Sequence, residues 1–201
     1  MEDPASNGLC SDPAARTGCE VGAKVPEILL RGLGRDFAPD SGFEWSSPSY
    51  NPTTNMLVAP TVDWCGVFRK ADELRYVPGQ LYMGGSYTYD PVQDSRGWLT
   101  AVNASTGDII WKYESKRPML AAVTTTSANL VFTGELTGDF VVVDANQGDV
   151  LYRFNIGGPV TAGDITYAAN GKQYVGVASG VTAGFWKTPP ASSILVIFGL
   201  P

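Results

Sequence analysis

Cysteines and acidic residues are the side chains of this sequence best suited to chemistry, because it contains no histidine. That absence excludes a Ser-His-Asp or Cys-His catalytic site, a zinc site with a histidine ligand and a haem held by histidine from this chain alone. The cysteines Cys10, Cys19 and Cys65 lack the C-x-x-C spacing of redox and zinc-ribbon motifs. Cys10 and Cys19 either close a short disulfide loop or are free thiols.

Two groups of acidic residues are candidates for metal binding. Asp144-Ala-Asn146-Gln-Gly148-Asp149 is similar to the start of a calcium loop, but it lacks the third side-chain ligand and the closing Glu of an EF-hand, which favours a hairpin turn. The second group has no fixed ligand spacing and is interpreted as solvated loop charges. Its members are Asp63, Asp72, Glu73, Asp90 and Asp94. The adjacent Trp64-Cys65 either faces a binding site or is buried in a long loop, and burial is the commoner outcome.

The composition is that of a folded, acidic protein. Of 201 residues 44% are hydrophobic and 17% charged, with 20 Asp+Glu against 14 Lys+Arg and a net charge of -6. This excludes a disordered tail and argues against a nucleic-acid or anionic membrane surface, so we expect no nucleic-acid partner. Apolar stretches such as 193–200 are far shorter than the roughly 20 residues of a membrane span, and the first residues lack the pattern expected of a signal peptide. The protein is either cytosolic or begins upstream of Met1.

From Ser47 onward the sequence has the pattern of short β-strands joined by tight turns. Runs rich in Val, Thr, Tyr, Phe and Ile are each ended by Gly, Asn, Asp or Pro, and no window of helical length competes with them. Residues 1–40 have no sustained period and are predicted to be irregular or poorly ordered. The fold class is therefore predicted to be all-β. The main predicted strands are 56–59, 81–83, 98–102, 109–113, 130–133, 140–143, 150–154, 160–167, 174–178 and 194–198.

An internal repeat distinguishes between the all-β architectures. Residues 101–111 align without gaps with residues 142–152, at an offset of 41 positions. A period near 40 with several short strands in each unit is typical of a β-propeller with one four-stranded blade per repeat. The aligned positions are Ala101 with Val142, Asn103 with Asp144, Gly107 with Gly148, and Trp111 with Tyr152.

The repeat encodes a hairpin between the two outer strands of a blade. The Asn or Asp that opens the turn can bond to the backbone two residues on, and the Gly that closes it accepts a positive φ. The aromatic residue then lies on the next strand, where it can pack against the neighbouring blade. We therefore expect Trp111 and Tyr152 to be wedged between adjacent sheets.

The repeat divides residues 41–201 into a partial propeller of about three four-stranded blades, the last of them incomplete. The first blade covers about 47–113 with an insertion at 62–97, the second covers 118–154, and the third covers 159–201 without its fourth strand. Residues 1–40 offer no convincing strand to complete it. We expect such an open stack to expose an unpaired strand edge and a bare sheet face.

The pattern Ala-x-Asn/Asp-x-x-Thr-Gly-x-x-x-Trp resembles the tryptophan-docking motif of quinoprotein dehydrogenases, eight-bladed β-propellers that carry pyrroloquinoline quinone (PQQ). Residues 101–111 match it closely and residues 142–152 loosely. The order and spacing of further segments look like the last blades of the alcohol dehydrogenase branch, and the chain is similar to the C-terminal third of such an enzyme. These segments are 45–52, 81–85, 130–139 and 171–175.

The resemblance implies oxidation of primary alcohols, or of related alcohols and sugars, in the periplasm. In that family a calcium or lanthanide ion polarises a quinone carbonyl, a carboxylate base removes the hydroxyl proton, and hydride passes to the quinone. The electrons then leave to a cytochrome c-type acceptor. The family's base, metal-binding Glu and Asn, and vicinal disulfide belong to earlier blades. The resemblance thus implies no catalytic or metal-binding residue here, and we expect the chain alone to be inactive and without a tightly bound cofactor.

One cofactor contact is implied by the resemblance. In the alcohol dehydrogenases a polar residue, usually Asn, precedes the tryptophan that corresponds to Trp45 and approaches the quinone, and here that residue is Glu44. A carboxylate repels a tricarboxylated cofactor unless a cation intervenes. Glu44 and Trp45 are therefore either an altered cofactor contact or a rim carboxylate beside a structural aromatic. A further tryptophan of the family is replaced by Leu120, Ala121 and Ala122, which removes an aromatic wall.

The sequence is compatible with three interpretations of the function. The chain is the C-terminal part of a PQQ-dependent alcohol dehydrogenase, with the missing N-terminal blades as its partner. Alternatively it is a non-catalytic propeller scaffold for protein–protein binding in the periplasm, like the lipoprotein of outer-membrane protein assembly. The third interpretation is a truncated or frameshifted reading frame without function.

Overall fold

The computed structural model describes residues 46–64, 66–73, 75–82, 84–180, 185–188 and 190–199, with the side chains of 66–70 and Tyr87 left out. The predictions for the segment 1–40, for Glu44 and Trp45, and for Cys10, Cys19 and Cys65 lie outside the described residues.

The described part of the chain contains thirteen β-strands and one 3₁₀ helix, Val92–Asp94, so the predicted all-β fold class is confirmed. The strands are β1 (Ser49–Asn51), β2 (Met56–Asp63), β3 (Gly66–Lys70), β4 (Gly85–Tyr89), β5 (Arg96–Asn103), β6 (Ile109–Ser115), β7 (Thr124–Thr125), β8 (Leu130–Gly134), β9 (Asp139–Asp144), β10 (Val150–Asn155), β11 (Asp164–Ala169), β12 (Lys172–Ser179) and β13 (Ile194–Gly199).

Three antiparallel sheets follow one another along the chain. Sheet I has the order β1-β2-β5-β6, sheet II β7-β8-β9-β10 and sheet III β11-β12-β13. Within each sheet, every strand pairs with the next strand of that sheet along the chain, and this is the up-and-down order of a propeller blade. Only the insertion, which lies between β2 and β5, interrupts the sequence of strands in sheet I. The first strands of the three sheets lie side by side: Ser49 Oγ is 2.8 Å from Thr125 Oγ1, and Thr124 Oγ1 donates to the Asp164 carbonyl at 3.0 Å. The predicted partial propeller, with three strands in its last sheet, is confirmed.

The insertion in the first repeat forms a separate hairpin, in which β3 pairs with β4. The predicted strand at 81–83 is wrong, because Leu81 and Tyr82 lie outside any strand and are 83% and 49% exposed. Gly84 (φ +69°) turns the chain directly after this apolar run, and β4 begins only beyond it. The strands that the sequence analysis missed, β1, β3, β4 and β7, are short, and their residues show little apolar alternation.

Strand β9 of sheet II is buried on both faces because its residues 140–143 are all apolar and successive side chains point to opposite faces. Val141 and Val143 face the core shared with sheet I, whereas Phe140 and Val142 face the core shared with sheet III. A period of two residues puts successive strand side chains on opposite faces. The first core contains Met56, Val58, Leu99, Ala101, Trp111, Met119, Val123, Val131, Val141, Val143 and Ala145. The second contains Ala121, Phe132, Phe140, Val142, Ile156, Val160 and Val177.

The two copies of the repeat form the same turn. Asn103 Oδ1 accepts backbone N–H bonds from two and three residues on at 2.9 and 3.2 Å, and Asp144 Oδ1 does the same at 2.7 and 3.0 Å. Gly107 and Gly148 close the turns with φ of +78° and +80°, a conformation that favours glycine. Because Asp144 is a turn-forming acceptor, the hairpin interpretation of this segment describes the structure, and the calcium-loop interpretation does not.

Trp111 is wedged between sheets I and II, as expected from the repeat. Its indole Nε1 donates to the Ala145 carbonyl at 2.7 Å, and its ring lies against Gly148. Tyr152 is not wedged in this way: it is 45% exposed, and its ring meets the edge of the Phe198 ring on β13 at 6.3 Å.

Candidate functional site

The first strands of the three sheets meet at one end of the stack of sheets. The bonds between β1, β7 and β11 join the beginnings of these strands, so Ser49, Thr124 and Asp164 mark a common end, called here the axial end. Ser46 extends it, because its hydroxyl donates to the Leu120 carbonyl. Glu44 and Trp45 come directly before Ser46 in the chain but lie outside the described residues.

The segment that replaces the family's aromatic wall is not an open surface. Leu120 and Ala121 are 1% and 0% exposed. Trp64 and Trp186, both 5% exposed, belong to the same buried cluster as Leu120. The burial of Trp64 favoured by the sequence analysis is confirmed, and its Nε1 donates to the Asp90 carbonyl at 2.9 Å. Trp186 could not be recognised in the sequence, because its neighbours Trp64 and Leu120 lie more than 60 positions away in the chain and only the fold brings them together.

Four aromatic rings from two separate chain segments meet above Leu120 and form the axial aromatic cluster, which consists of Trp64, Tyr89, Phe185 and Trp186. The ring centroids of Trp64 and Tyr89 are 4.8 Å apart, and those of Trp64 and Trp186 are 5.6 Å apart. Phe185 meets Trp186 edge-on at 4.8 Å. Such arrangements each add stabilisation beyond area burial. The cluster therefore ties the insertion of sheet I to the segment between β12 and β13 and makes this end largely apolar.

The acidic residues of the insertion do not converge on one another in the described part of the chain. Within the described ranges, no group of three or more Asp, Glu or Cys side chains is placed to bind a metal. Of the insertion's acidic residues, Asp72, Glu73 and Asp94 are exposed, whereas Asp63 accepts a bond from Trp98 Nε1 at 3.1 Å. The oxygen ligands that calcium needs are therefore not assembled in this part of the chain.

Asp164 is a buried carboxyl at the axial end that the sequence analysis missed. It is 7% exposed, and its Oδ2 has no hydrogen-bond partner. Burial raises the pKa of Asp164 to about 6, against the smaller lowering effect of hydrogen bonds from Thr124 and the backbone. An aspartate that follows Gly163 at the start of a strand has the sequence pattern of an ordinary turn residue. Nothing in the sequence therefore indicates that this carboxyl is buried.

Glu135, the other buried carboxylate, joins sheets I and II and is well paired. It is 3% exposed and accepts bonds from Arg153 Nη1 at 2.9 Å, Thr137 Oγ1 at 3.0 Å and the Tyr113 hydroxyl. Burial, reinforced by Glu135, raises the pKa of Tyr113 to about 12. Arg153 also reaches Asp139 at 3.2 Å. The group is a structural ion-pair network with no free acid or base for catalysis.

No helix in the described ranges is long and apolar enough to cross a membrane.

Comparison with known proteins shows which propellers the chain is similar to. The family described as outer membrane protein assembly factor BamB matches residues 95–185. Quinoprotein alcohol dehydrogenase PedE of Pseudomonas putida is 31% identical over 140 residues, which is 69% of this chain and 22% of PedE. The chain thus spans about a fifth of the length of this relative.

Solved structures show the same likeness. The quinohemoprotein alcohol dehydrogenase from Comamonas testosteroni superimposes with a TM-score of 0.60 at 26% identity, over 69% of this chain and 22% of that one. A europium-containing methanol dehydrogenase gives a TM-score of 0.70 at 23% identity, over 78% of this chain and 33% of that one. The second likeness concerns the fold alone.

Proposed function

The chain is homologous to the quinoprotein alcohol dehydrogenases, and from this premise we propose that it forms the C-terminal blades of an enzyme that oxidises alcohols or related sugars with PQQ. The observation that carries the proposal is the docking of Trp111 on the Gly148 turn of the next sheet, with its indole bonded to Ala145. This contact is the one that the docking motif of the resemblance implies. The chain spans 22% of PedE, so the activity belongs to the complete propeller.

This chain supplies structure to the site and the missing blades supply its chemistry. When bound in the complete enzyme, PQQ accepts hydride and a calcium or lanthanide ion stabilises developing negative charge. The base and metal ligands come from the N-terminal blades. Leu120 and the axial aromatic cluster pack this part of the axial end and exclude water from it. Glu44 and Trp45 are the residues that the resemblance implies as contacts of the quinone. The enzyme works in the periplasm and passes its electrons to a cytochrome c-type acceptor.

A chimera tests the proposal directly. The segment of PedE that aligns with this chain is replaced by residues 41–201, and PedE lacking the segment is the negative control. We expect the chimera to bind PQQ, seen in its absorbance spectrum, and to reduce an electron-accepting dye with ethanol in a calcium- or lanthanide-dependent way. The chain alone shows neither.

Two outcomes contradict the proposal. One is a chimera that folds, shown by a cooperative thermal transition, and yet takes up no PQQ. The other is turnover by the isolated chain, which would overturn its predicted inactivity. A chimera carrying Trp111→Ala separates folding from function, because we expect it to lose thermal stability and cofactor uptake together.

The match of residues 95–185 to outer membrane protein assembly factor BamB favours a second candidate, a non-catalytic propeller scaffold for protein–protein binding in the periplasm. A scaffold needs no cofactor, so its chimera folds and stays colourless with PQQ present. The same experiment therefore distinguishes the two functions.

A further inference from the structure

Asp164 differs from Glu135, the other buried carboxylate of the described residues, in having an oxygen without a partner. Its Oδ2 is enclosed by protein and accepts no hydrogen bond. Glu135 accepts bonds from Arg153 Nη1 and the Thr137 hydroxyl, and these donors hold it in its ionised form. A buried polar atom without a partner is rare in a folded protein and calls for an explanation.

The carboxyl of Asp164 points toward sheet II at the axial end. Asp164 is the first residue of β11 and pairs with Val177 of β12, whose side chain belongs to the core between sheets II and III. Residues directly opposite each other in an antiparallel pair project from the same face, so the Asp164 side chain enters the same space between the sheets. Thr124 Oγ1, on the first strand of sheet II, donates to the Asp164 carbonyl at 3.0 Å. The carboxyl is therefore held where two inner strands meet.

The described groups that adjoin this carboxyl are uncharged. Thr124 and Val177 adjoin it from β7 and β12. Ala122 adjoins the preceding residue, with its Cβ 3.7 Å from the position of a Cβ built on Gly163. Within the described ranges none of the ion pairs includes Asp164. Neither the ionised nor the protonated carboxyl is thus stabilised by a partner at Oδ2, and a new charge nearby decides which form is present.

The segment 120–122 connects Asp164 with the expected position of the cofactor. This segment replaces the tryptophan that the resemblance implies as an aromatic wall beside the quinone, and its side chains are all aliphatic. An apolar layer screens charge far less than water does. In the complete enzyme a charge on the cofactor therefore acts on Asp164 across this segment, without contact between the two.

We propose that Asp164 binds a proton when the cofactor of the complete enzyme is reduced and releases it when the cofactor is oxidised again. This inference rests on the proposed function. In that reaction the alcohol loses hydride to the quinone and its hydroxyl proton to the base, so the cofactor gains one negative charge. A negative charge close to a carboxylate favours the protonated carboxyl.

The proton and electron movements balance. On reduction the Asp164 carboxylate takes one proton from water and becomes neutral, which offsets the charge that the hydride brings into an apolar site. On oxidation two electrons leave to the cytochrome c-type acceptor, and Asp164 returns its proton to water. Burial supports this role, because it raises the pKa of Asp164 to about 6, near enough to neutral pH for a nearby charge to change its protonation.

Infrared difference spectroscopy of the PedE chimera with bound PQQ tests the inference. Reduction with ethanol should produce the C=O stretching band of a protonated carboxyl, and oxidation by the dye should remove it. We expect Asp164→Asn to lose this band, because an amide does not bind the proton. Two controls should keep it: Glu135→Gln, at the paired buried carboxyl, and Asp94→Asn, at an exposed one.

Proton uptake supplies a second measurement, made with a pH indicator in weak buffer at pH 7. On reduction the unmutated chimera should take up about one proton more per cofactor than its Asp164→Asn variant. Asp164→Glu retains a carboxyl and should restore both the band and the uptake.

The outcomes separate this inference from the proposed function. An unmutated chimera that shows no such band on reduction overturns the inference, and so does a band that persists in Asp164→Asn. In both cases PQQ uptake and turnover leave the proposed function standing. Loss of the band in Glu135→Gln also contradicts the inference, because the proton would then reside in the ion-pair network. A folded chimera that takes up no PQQ overturns both proposals.

Discussion

One glycine decides how closely sheets I and II approach each other. A Cβ built on Gly148 would lie 2.8 Å from two atoms of the Trp111 ring, closer than packed carbon atoms come. The indole is at the same time held by its bond to Ala145 and cannot retreat without breaking it. The docking motif thus needs glycine here for space as well as for its positive φ.

Gly148→Ala and Gly79→Ala separate these two requirements. Both glycines have nearly the same φ, +80° and +79°, but a Cβ at Gly79 meets nothing within 4 Å. We expect Gly79→Ala to lower the free energy of unfolding by about 1 kcal/mol through backbone strain. Gly148→Ala adds overpacking and should lower it by about 3 kcal/mol in total. Urea denaturation measures both, and equal losses would show that the Trp111 contact does not depend on glycine.

The buried carboxyl of Asp164 makes the free energy of unfolding depend on pH. Its pKa rises from 3.8 to about 6 on folding, so between these values the unfolded chain loses its proton while the folded chain keeps it. The folded state then binds more protons than the unfolded state, and its stability falls as pH rises from about 4 to 6, by about 3 kcal/mol from this group.

Asp164→Asn should remove this contribution, because a neutral amide needs no buried charge. We expect the variant to be more stable than wild type at pH 7, and the difference to shrink toward pH 4. Thermal unfolding across this pH range measures it. Asp94→Asn, at an exposed position, controls for the loss of one negative charge. A difference for Asp164→Asn that does not change with pH would contradict the assignment of the raised pKa.

Ion pairs that join two strands contribute to stability by an amount that depends on how deeply they are buried. Arg153 bonds to the buried Glu135 and links it to the Tyr113 hydroxyl on β6, so the network holds the outer strand of sheet I to sheet II. The pair between Arg96 and Glu114 joins neighbouring strands of sheet I at 2.8 Å, but its side chains are 49% and 46% exposed. Exposed pairs contribute little, whereas removing one partner of a buried pair leaves an uncompensated charge.

Arg153→Met and Arg96→Met test this difference. We expect Arg153→Met to lower the free energy of unfolding by about 2 to 3 kcal/mol, because Glu135 loses its cation, while Arg153 is itself partly exposed. Arg96→Met should cost less than about 1 kcal/mol. Adding Glu135→Gln to Arg153→Met should recover part of the loss. Similar effects for the two arginine variants in urea denaturation would mean that the network does not join the sheets.

Across the whole molecule, the three sheets are held as one stack by two inter-sheet cores and by the axial aromatic cluster. The far face of sheet III is bare: Ile165 and Leu195 on it are 62% and 66% exposed, and Tyr167 and Tyr174 stack on each other at 5.4 Å. Among the described residues nothing covers this face of sheet III, and no strand pairs with the outer side of β13. A complete propeller would cover this face with its next blade.

Short-range patterns in the sequence predicted most of the strands. The apolar runs from Phe140 to Val143 and from Ile194 to Phe198 fall within β9 and β13, because residue type and turn residues are local properties of the sequence. The apolar run at 81–83 misled the prediction, since apolarity alone does not provide a partner strand. β7 is only two residues long and carries no periodic signal.

The repeat in the sequence by itself determined the blade architecture, the turn at Asn103 and Asp144 and the docking of Trp111, because each follows from residues a fixed distance apart in one unit. Only the tertiary structure decided that Trp186 covers Leu120, that Arg153 reaches Glu135 and Tyr113, and that Tyr152 stays exposed. Those contacts depend on how sheets are stacked and staggered. Residue spacing within one segment carries no information about this stacking.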